Sequence, residues 1–343
     1  MSESDLPSLA AVAVMLLVGG YVLLDSFALG AGTLCMYRTD RVDRDAILQA
    51  TAATRYNSEW WLIAAAVVMY FAFPFPFRIL AEGLAVPIVV VLVALATRKM
   101  AATLRKSADD ATERRWSQIF AIAFLVATLA QGLSLGGYLR GFSVAGGELV
   151  GGVFSWVSFF SLLVAVALAI GYGMLGAAWL SWKGATRVAE RSRTLLRALS
   201  IASACAMAAI SVATLLLHPI VTARWGVSLD GVDWEYFLPL SPLPAAALVG
   251  LLISFLFARK VGSPWPFLGG LAALLAGYAG LAASVWPLVV PYGYSAAQSV
   301  GDINDLRVCL LWTAASIPCL IILTAFTFKR WPARSARTMS SAV

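Results

Sequence analysis

Apolar residues along this chain come in long runs, and charged residues collect in the segments between them. A run of about 20 apolar residues can cross the roughly 30 Å hydrocarbon core of a bilayer as a helix. Counting such runs predicts an all-α integral membrane protein with nine transmembrane helices. The predicted spans are 7–30, 60–78, 83–98, 117–139, 149–181, 196–218, 237–258, 265–291 and 306–328.

The basic residues divide unequally between the two sides that alternating loops define. Of the 25 Lys and Arg residues, 21 fall on one side, and only Arg78, Arg140, Arg224 and Arg307 fall on the other. Loops rich in Lys and Arg stay in the cytoplasm. The split predicts a multi-pass protein of a bacterial or archaeal cytoplasmic membrane, with the amino terminus outside and the carboxyl terminus inside.

The loops and the first residues refine this topology. The longest inner loops follow spans one, three and five, and their mixed charges predict short amphipathic helices or solvated turns. The amino terminus carries Glu3 and Asp5 and no basic residue before the first span, unlike the n-region of a signal peptide. We therefore expect the first span to be retained.

Composition restricts the classes of function. With 61% hydrophobic and 13% charged residues, a soluble domain is excluded. The net charge of +7 follows from topology, because the cations lie between apolar runs, so no nucleic-acid partner is expected. The four cysteines lack metal-ligand spacing, and His218 is the only histidine. One histidine beside a predicted outer helix end cannot supply bis-histidine haem ligation, so this chain is expected to bind no haem by itself.

Two acidic residues are candidates for a functional role. Asp25 lies inside the first predicted span, where a carboxylate must be neutral, paired or hydrated. It is either a helix-end group that hydrogen-bonds Ser26 or reaches the interface, or part of a proton path. Glu59 precedes Trp60 and Trp61 at the start of the second span, and indicates either a proton-uptake group beside Asp25 or an ordinary helix-start acid in an aromatic belt.

Small residues near the middle of the chain predict close helix packing. Gly173, Gly176 and Ala177 lie near the end of the fifth span, which finishes at Trp182 and Lys183, a pair suited to the headgroup boundary.

Several segments together resemble subunit II of the cytochrome bd quinol oxidases. Asp25 to Gly32 resembles the D-G-F-D-L-G-x-G signature of that family's first span, and Glu59 to Leu62 resembles the end of W-D-G-N-E-V-W-L. Further similar positions are Arg98 and Arg105 (R-G-x-x-F-E-F-R), Gln131 to Gly136 (Q-G-x-x-L-G), Gly171 to Lys183 (G-Y-x-L-L-G-A-x-W-L-x-x-K) and Trp286 to Pro291 at the entrance to the last outer loop.

The resemblance implies an architecture and a set of partners. It implies two four-helix bundles, about 7–139 and 149–291, a last helix 306–328 and a short tail 329–343. It also implies a heterodimer with a similarly folded subunit I that carries haems b558, b595 and d, a tightly held quinone or lipid, and room for a small single-helix subunit.

The chain departs from the family pattern at the first two motifs. Ala28 replaces the second carboxylate of the first motif, and Arg55-Tyr56-Asn57-Ser58 replaces W-D-G-N. The W-D-A of the last outer loop corresponds at best to Gly301-Asp302-Ile303. The resemblance therefore implies the architecture, whereas a proton route through this chain has lost some of its acids.

The resulting hypothesis is a second subunit of a bd-type terminal oxidase that scaffolds a haem-bearing subunit oxidising quinol and reducing dioxygen to water, with Asp25 and Glu59 as proton-path candidates. Two alternatives remain open from the residues. One is a secondary transporter or permease, since buried acids and broken helices also line substrate pathways. The other is a structural subunit of a different membrane complex.

Overall fold

A computed structural model describes residues 5–38, 40–52, 57–184, 186–228, 231–260 and 262–330. Arg55 and Tyr56 of the second motif and most of the predicted tail lie outside these residues. The helices are α1 (Leu6–Leu34), α2 (Arg41–Ala50), α3 (Ser58–Ala72), α4 (Pro74–Gly83), α5 (Ala85–Leu104), α6 (Asp110–Arg140), α7 (Phe159–Lys183), α8 (Thr186–Leu215), α9 (Pro219–Arg224), α10 (Trp234–Leu240), α11 (Pro242–Phe257), α12 (Trp265–Val285), α13 (Ala296–Ser299) and α14 (Ile303–Arg330). Three antiparallel two-stranded hairpins connect them: β1 (Ser143–Ala145) with β2 (Glu148–Val150), β3 (Val227–Ser228) with β4 (Gly231–Val232), and β5 (Leu288–Val290) with β6 (Tyr294–Ser295).

The all-helical membrane class is confirmed, but the number of crossings is not. Within the described residues, seven helices are long and apolar enough to cross a membrane: α1, α5, α6, α7, α8, α12 and α14. The pair α10 and α11, bent by 42°, makes an eighth if it forms one span. Nine spans and the division into two four-helix bundles stay predictions.

The predicted second span, 60–78, is two helices rather than one. Helix α3 has 15 residues, which is about 22 Å of helix at 1.5 Å per residue and too short for the hydrocarbon core. The break falls at Phe73, because Pro74 lacks the N–H that would continue the helix and instead occupies the first turn of α4. The predicted seventh span, 237–258, is likewise interrupted before Pro242.

The start of the predicted fifth span was wrong. Residues 149–158 form the second strand of a hairpin and a turn, and α7 begins only at Phe159. Ser158 sets this start with a reciprocal capping box, in which its hydroxyl accepts from the Ser161 N–H and the Ser161 hydroxyl accepts from the Ser158 N–H. The apolar residues before it belong to the segment between β2 and α7.

The inner loops contain more helix than was predicted. Among the residues that the structure describes, only the first of these loops holds a separate amphipathic helix, α2. After the third and fifth spans, α5 extends to Leu104 and α7 to Lys183, and the next helices begin within a few residues, at Asp110 and Thr186. The charged residues at these helix ends lie close together, and ion pairs connect α2 with α6 and α8, and α5 with α6.

Helix α1 is the central element of the fold. It packs against α3 and α6 of the first predicted bundle and against α7, α12 and α14 beyond it. Gly30 of α1 and Gly176 of α7 make the closest contact, since a Cβ on Gly30 would overlap the Tyr172 carbonyl and one on Gly176 would overlap the Ala31 backbone. The close-packing prediction is confirmed for Gly176. Gly173 also lies at this contact through its backbone, since its N would be 3.0 Å from a Cβ on Gly30, although a Cβ on Gly173 itself would lie 3.9 Å from Leu199.

Candidate functional site

Asp25 is completely buried inside the bundle. Its fractional exposure is 0%, and it lies nine residues before the last residue of α1, at Leu34. Ser26 does not bind it, because the Ser26 hydroxyl donates to the Leu23 carbonyl at 3.3 Å. The interpretation of Asp25 as a helix-end group at the interface was therefore wrong, and the requirement that a buried acid be paired is met by another helix.

Arg98 of α5 is the counter-ion. Its Nη1 lies 2.9 Å from Asp25 Oδ1, and its side chain is 0% exposed. The second guanidinium nitrogen, Nη2, lies 3.4 Å from Glu59 Oε1, and Lys99 pairs with the other oxygen of Glu59. The two predicted acids are thus brought together, but through Arg98 rather than by direct contact.

The remaining neighbours complete this buried cluster. Ser58, the first residue of α3, donates its hydroxyl to Asp25 Oδ1 at 3.0 Å. Tyr21 lies one turn earlier on α1, beside Asp25, and its hydroxyl accepts from Gln131 of α6. The Arg98 guanidinium also stands over the Phe124 ring, with 5.2 Å between its Cζ and the ring centroid.

The exposure of the side chains in this cluster falls from Lys99 and Glu59 to Asp25 and Arg98. The side chains of Lys99 and Glu59 are 36% and 23% exposed, whereas those of Asp25 and Arg98 are at most 1% exposed. Arginine keeps its charge in proteins and does not exchange protons in catalysis. Because Arg98 stands between the two carboxylates, the arrangement holds fixed charges in place and gives no direct hydrogen bond from Glu59 to Asp25 among the described residues.

A second buried network links α2, α5 and α6 and was not predicted. Glu113 is 1% exposed, pairs with Arg44 and Arg105, and accepts from Ser117 Oγ at 2.7 Å. Arg105 also pairs with Asp45. The sequence carried one signal for this network, since Glu113 and Ser117 are four residues apart on one helix face.

Helix α2 is also tied to α8. Arg191 Nη1 lies 2.9 Å from Asp43 Oδ2, and Arg187 Nη2 lies 2.6 Å from Asp40 Oδ2. Arg38, just before α2, donates to Ser192 Oγ at 3.4 Å. Burial lowers the pKa of Arg38 from its ordinary value, and the nearby Asp43 carboxylate opposes that shift. These contacts fix α2 against the ends of α1 and α8.

His218 lies at the opposite end of the bundle and has a local role. Its Nδ1 accepts from the Ile220 N–H at 3.2 Å and so caps α9, and its ring stacks on Tyr292 with centroids 4.3 Å apart. Burial raises the pKa of the Tyr292 phenol. These two residues and Arg140 line a cavity of about 840 Å³ between the loops. Within the described residues, no three His, Cys, Asp or Glu side chains are grouped as metal ligands would be.

Comparisons with known proteins establish the family of this chain. The family model described as "Cytochrome bd terminal oxidase subunit II" matches residues 6–331. The chain belongs to the cytochrome bd terminal oxidase subunit II family. The curated "Probable cytochrome oxidase subunit 2" of Haemophilus influenzae is 25% identical over an alignment of 343 residues, which covers 89% of this chain and 84% of that protein. The bd oxidase structure from Geobacillus thermodenitrificans matches with a TM-score of 0.76 at 16% identity, over 95% of this chain and 98% of that chain.

Membership of the bd oxidase subunit II family decides between the alternatives. The chain is a subunit of a bd-type terminal oxidase, a multi-pass cell-membrane protein and a member of an oxidoreductase complex. The permease and other-complex alternatives are wrong. The family also implies that the haems of the complex are held by another subunit.

Proposed function

We propose that this chain scaffolds a haem-bearing subunit I, with which it forms a heterodimer that oxidises quinol and reduces dioxygen to water. The observation that supports this most is the match of the family to residues 6–331, nearly the whole chain. Haems b558, b595 and d would all lie in subunit I. This chain offers one histidine, and that residue already caps α9 and stacks on Tyr292.

The proposed topology has nine crossings, arranged as two four-helix bundles plus one helix. In this arrangement α3 and α4 together make the second crossing, and α10 and α11 make the seventh. The amino terminus is outside and the carboxyl terminus is in the cytoplasm, which places the charged layer around α2 on the cytoplasmic side in agreement with the unequal distribution of Lys and Arg. Reporter fusions after Arg105 and after Arg187 should both read as cytoplasmic, and an external reading from either contradicts the topology.

Asp25 and Glu59 remain the proton-path candidates of this subunit. Their placement supports a mainly structural role for Asp25, because its described partners are a fixed cation and a hydroxyl group. Glu59, partly exposed and paired with Lys99, is the acid through which water would first reach the cluster.

The oxidase assignment is tested by purifying the complex through an affinity tag on this chain. We expect a haem-bearing partner in stoichiometric amount, the optical bands of b-type and d-type haems, and quinol-dependent oxygen consumption. The chain purified without its partner should show no haem absorbance. A monodisperse isolated chain with one haem per molecule, or a tagged complex without haem, would contradict the proposal.

A further inference from the structure

Three arginines lie where α8 passes the end of α11, and we name them the α8–α11 arginine cluster: Arg193, Arg197 and Arg259. Arg193 and Arg197 are four residues apart on α8 and so lie on one helix face. Arg193 Nη1 donates to the Arg259 carbonyl at 2.9 Å. The Arg197 guanidinium stands over the Phe255 ring of α11, with 4.6 Å between its Cζ and the ring centroid.

This cluster lacks the counter-charges that its neighbours have. Two and six residues before Arg193 on α8, Arg191 and Arg187 are paired with Asp43 and Asp40. No carboxylate of the described residues lies within 4.0 Å of a nitrogen of the cluster. A preference for cations on one side explains why arginines are present here, but it does not explain why these three are left without anions.

Within the cluster, Arg197 has a buried N–H donor that lacks a described acceptor. Its Nε is buried and has no hydrogen-bond partner among the described residues. A guanidinium carries five N–H donors and no acceptor, and a buried donor without an acceptor is costly. The ring of Phe255 covers one face of the guanidinium, so an acceptor must approach the edge.

The surroundings specify the chemistry of that acceptor. Arg197 lies at the start of the apolar part of α8, and beyond it both helices present apolar side chains to the outside: Ile201 is 54% exposed, and Leu252 and Leu256 of α11 are 54% and 58% exposed. A group that satisfies arginines at this depth therefore combines an anionic oxygen acceptor with long apolar chains. Arginine binds phosphate oxygens with two parallel hydrogen bonds, and basic pockets between transmembrane helices bind phospholipid headgroups.

We propose that the α8–α11 arginine cluster binds the phosphate diester of an anionic phospholipid, whose acyl chains lie along the outer faces of α8 and α11. This assigns a lipid site that goes beyond the scaffold function and does not depend on the oxidase chemistry. The lipid would strengthen the packing of α8 against α11, which also includes a hydroxyl contact of 3.3 Å between Ser200 and Ser254.

The test compares the parent complex with an Arg193→Gln/Arg197→Gln double variant and an Arg115→Gln control. Arg115 is exposed on α6, and it has no described ion-pair partner. Each complex is delipidated in detergent and titrated with dioleoyl phosphatidylglycerol, and bound lipid is counted by native mass spectrometry. We expect the parent and the control to bind one more tight lipid than the double variant, whose affinity at this site should fall at least about tenfold. Equal binding by all three complexes overturns the proposal.

Two further experiments identify the ligand and provide a test in case the double variant does not fold. Phosphatidylglycerol should raise the melting temperature of the parent complex, whereas phosphatidylcholine and inorganic phosphate should not; an equal rise with either one overturns the assignment. Arg259→Gln changes only an exposed side chain and serves if the double variant does not assemble. It should weaken phosphatidylglycerol binding severalfold, and parent-like affinity in this variant also overturns the proposal.

Discussion

Replacing Arg98 with methionine tests whether the buried cluster holds the bundle together. The substitution keeps an unbranched side chain of similar reach but removes the cation that lies 2.9 Å from Asp25 Oδ1 and 3.4 Å from Glu59 Oε1. Glu59 keeps Lys99 as a partner. Asp25 keeps the Ser58 hydroxyl and the neighbouring Tyr21 phenol but loses its described ion-pair partner, so it must remain charged without that cation or take up a proton.

The magnitude follows from the burial of the pair. Because both side chains are at most 1% exposed, solvent does not screen them, and breaking such a pair by removing one partner costs about 3–5 kcal/mol. With about 2.1 cal/mol/K of unfolding entropy per residue over 343 residues, each kcal/mol shifts the melting temperature by roughly 1.4 °C, so it should fall by about 4–7 °C. Asp25→Asn should cost less, about 2 kcal/mol, because Arg98 keeps Glu59 and the Phe124 ring. The Asp25→Asn/Arg98→Met double variant removes both charges and should recover about 2 kcal/mol relative to the sum of the single costs.

The assay is thermal unfolding of the detergent-purified complex, followed by intrinsic tryptophan fluorescence at a fixed protein concentration. Arg115→Met is the matched control, and this exposed substitution should stay within about 0.5 kcal/mol of the parent. Additive losses in the double variant, or an Arg98→Met complex that melts with the parent, would refute the ion-pair reasoning.

The other predictions concern turnover, helix contact and the second network. Asp25→Asn should lower haem content per purified chain more than oxygen consumption per haem d; a fully assembled variant with turnover down tenfold, a barrier change of about 1.4 kcal/mol, would show that Asp25 conducts protons. Gly30→Ala and Gly176→Ala should each abolish assembly by forcing α1 and α7 apart, whereas Gly173→Ala should assemble normally, as judged by size-exclusion chromatography with haem absorbance. Glu113→Gln removes the carboxylate that the buried Arg44 and Arg105 share, although Arg105 keeps Asp45, and it should cost at least about 2 kcal/mol in the same melting assay; no shift would contradict the role of this network.

Hydrophobic runs predicted the class and most of the helices because bilayer thickness sets a minimum length that sequence alone reveals. They failed where an apolar segment is not one straight helix. Apolar composition could not show that Pro74 divides α3 from α4, although the proline itself was visible, or that Ser158 delays the start of α7. Both breaks depend on single residues that end or start hydrogen-bonding ladders, which an average over a window of residues does not register.

The sequence allowed the acidic residues of the site to be predicted, but it did not show which cations pair with them. Asp25 was conspicuous because a carboxylate within an apolar run is rare and costly. Arg98 gave no such signal, since it lies near the end of a predicted span where arginines are ordinary. Its distance of 73 positions from Asp25 along the chain means that only the folded arrangement, in which α5 packs against α6 and Arg98 reaches α1, reveals the pair. The family resemblance included Arg98 among the similar positions, but it did not indicate that Arg98 pairs with Asp25.

The chain's departure at Ala28 also bears on the proton route. Ala28 lies three residues after Asp25 on α1, is 1% exposed and has no group that exchanges protons. On the other side of Asp25, Tyr21 and Gln131 continue the polar contacts towards the interior. Polar side chains therefore extend inward from Asp25, while Ala28, three positions on towards Leu34, is apolar and Arg98 separates Asp25 from the partly exposed Glu59. We therefore predict that Asp25 fixes the position of Arg98, and with it the link between α5 and α1, rather than receiving protons from water.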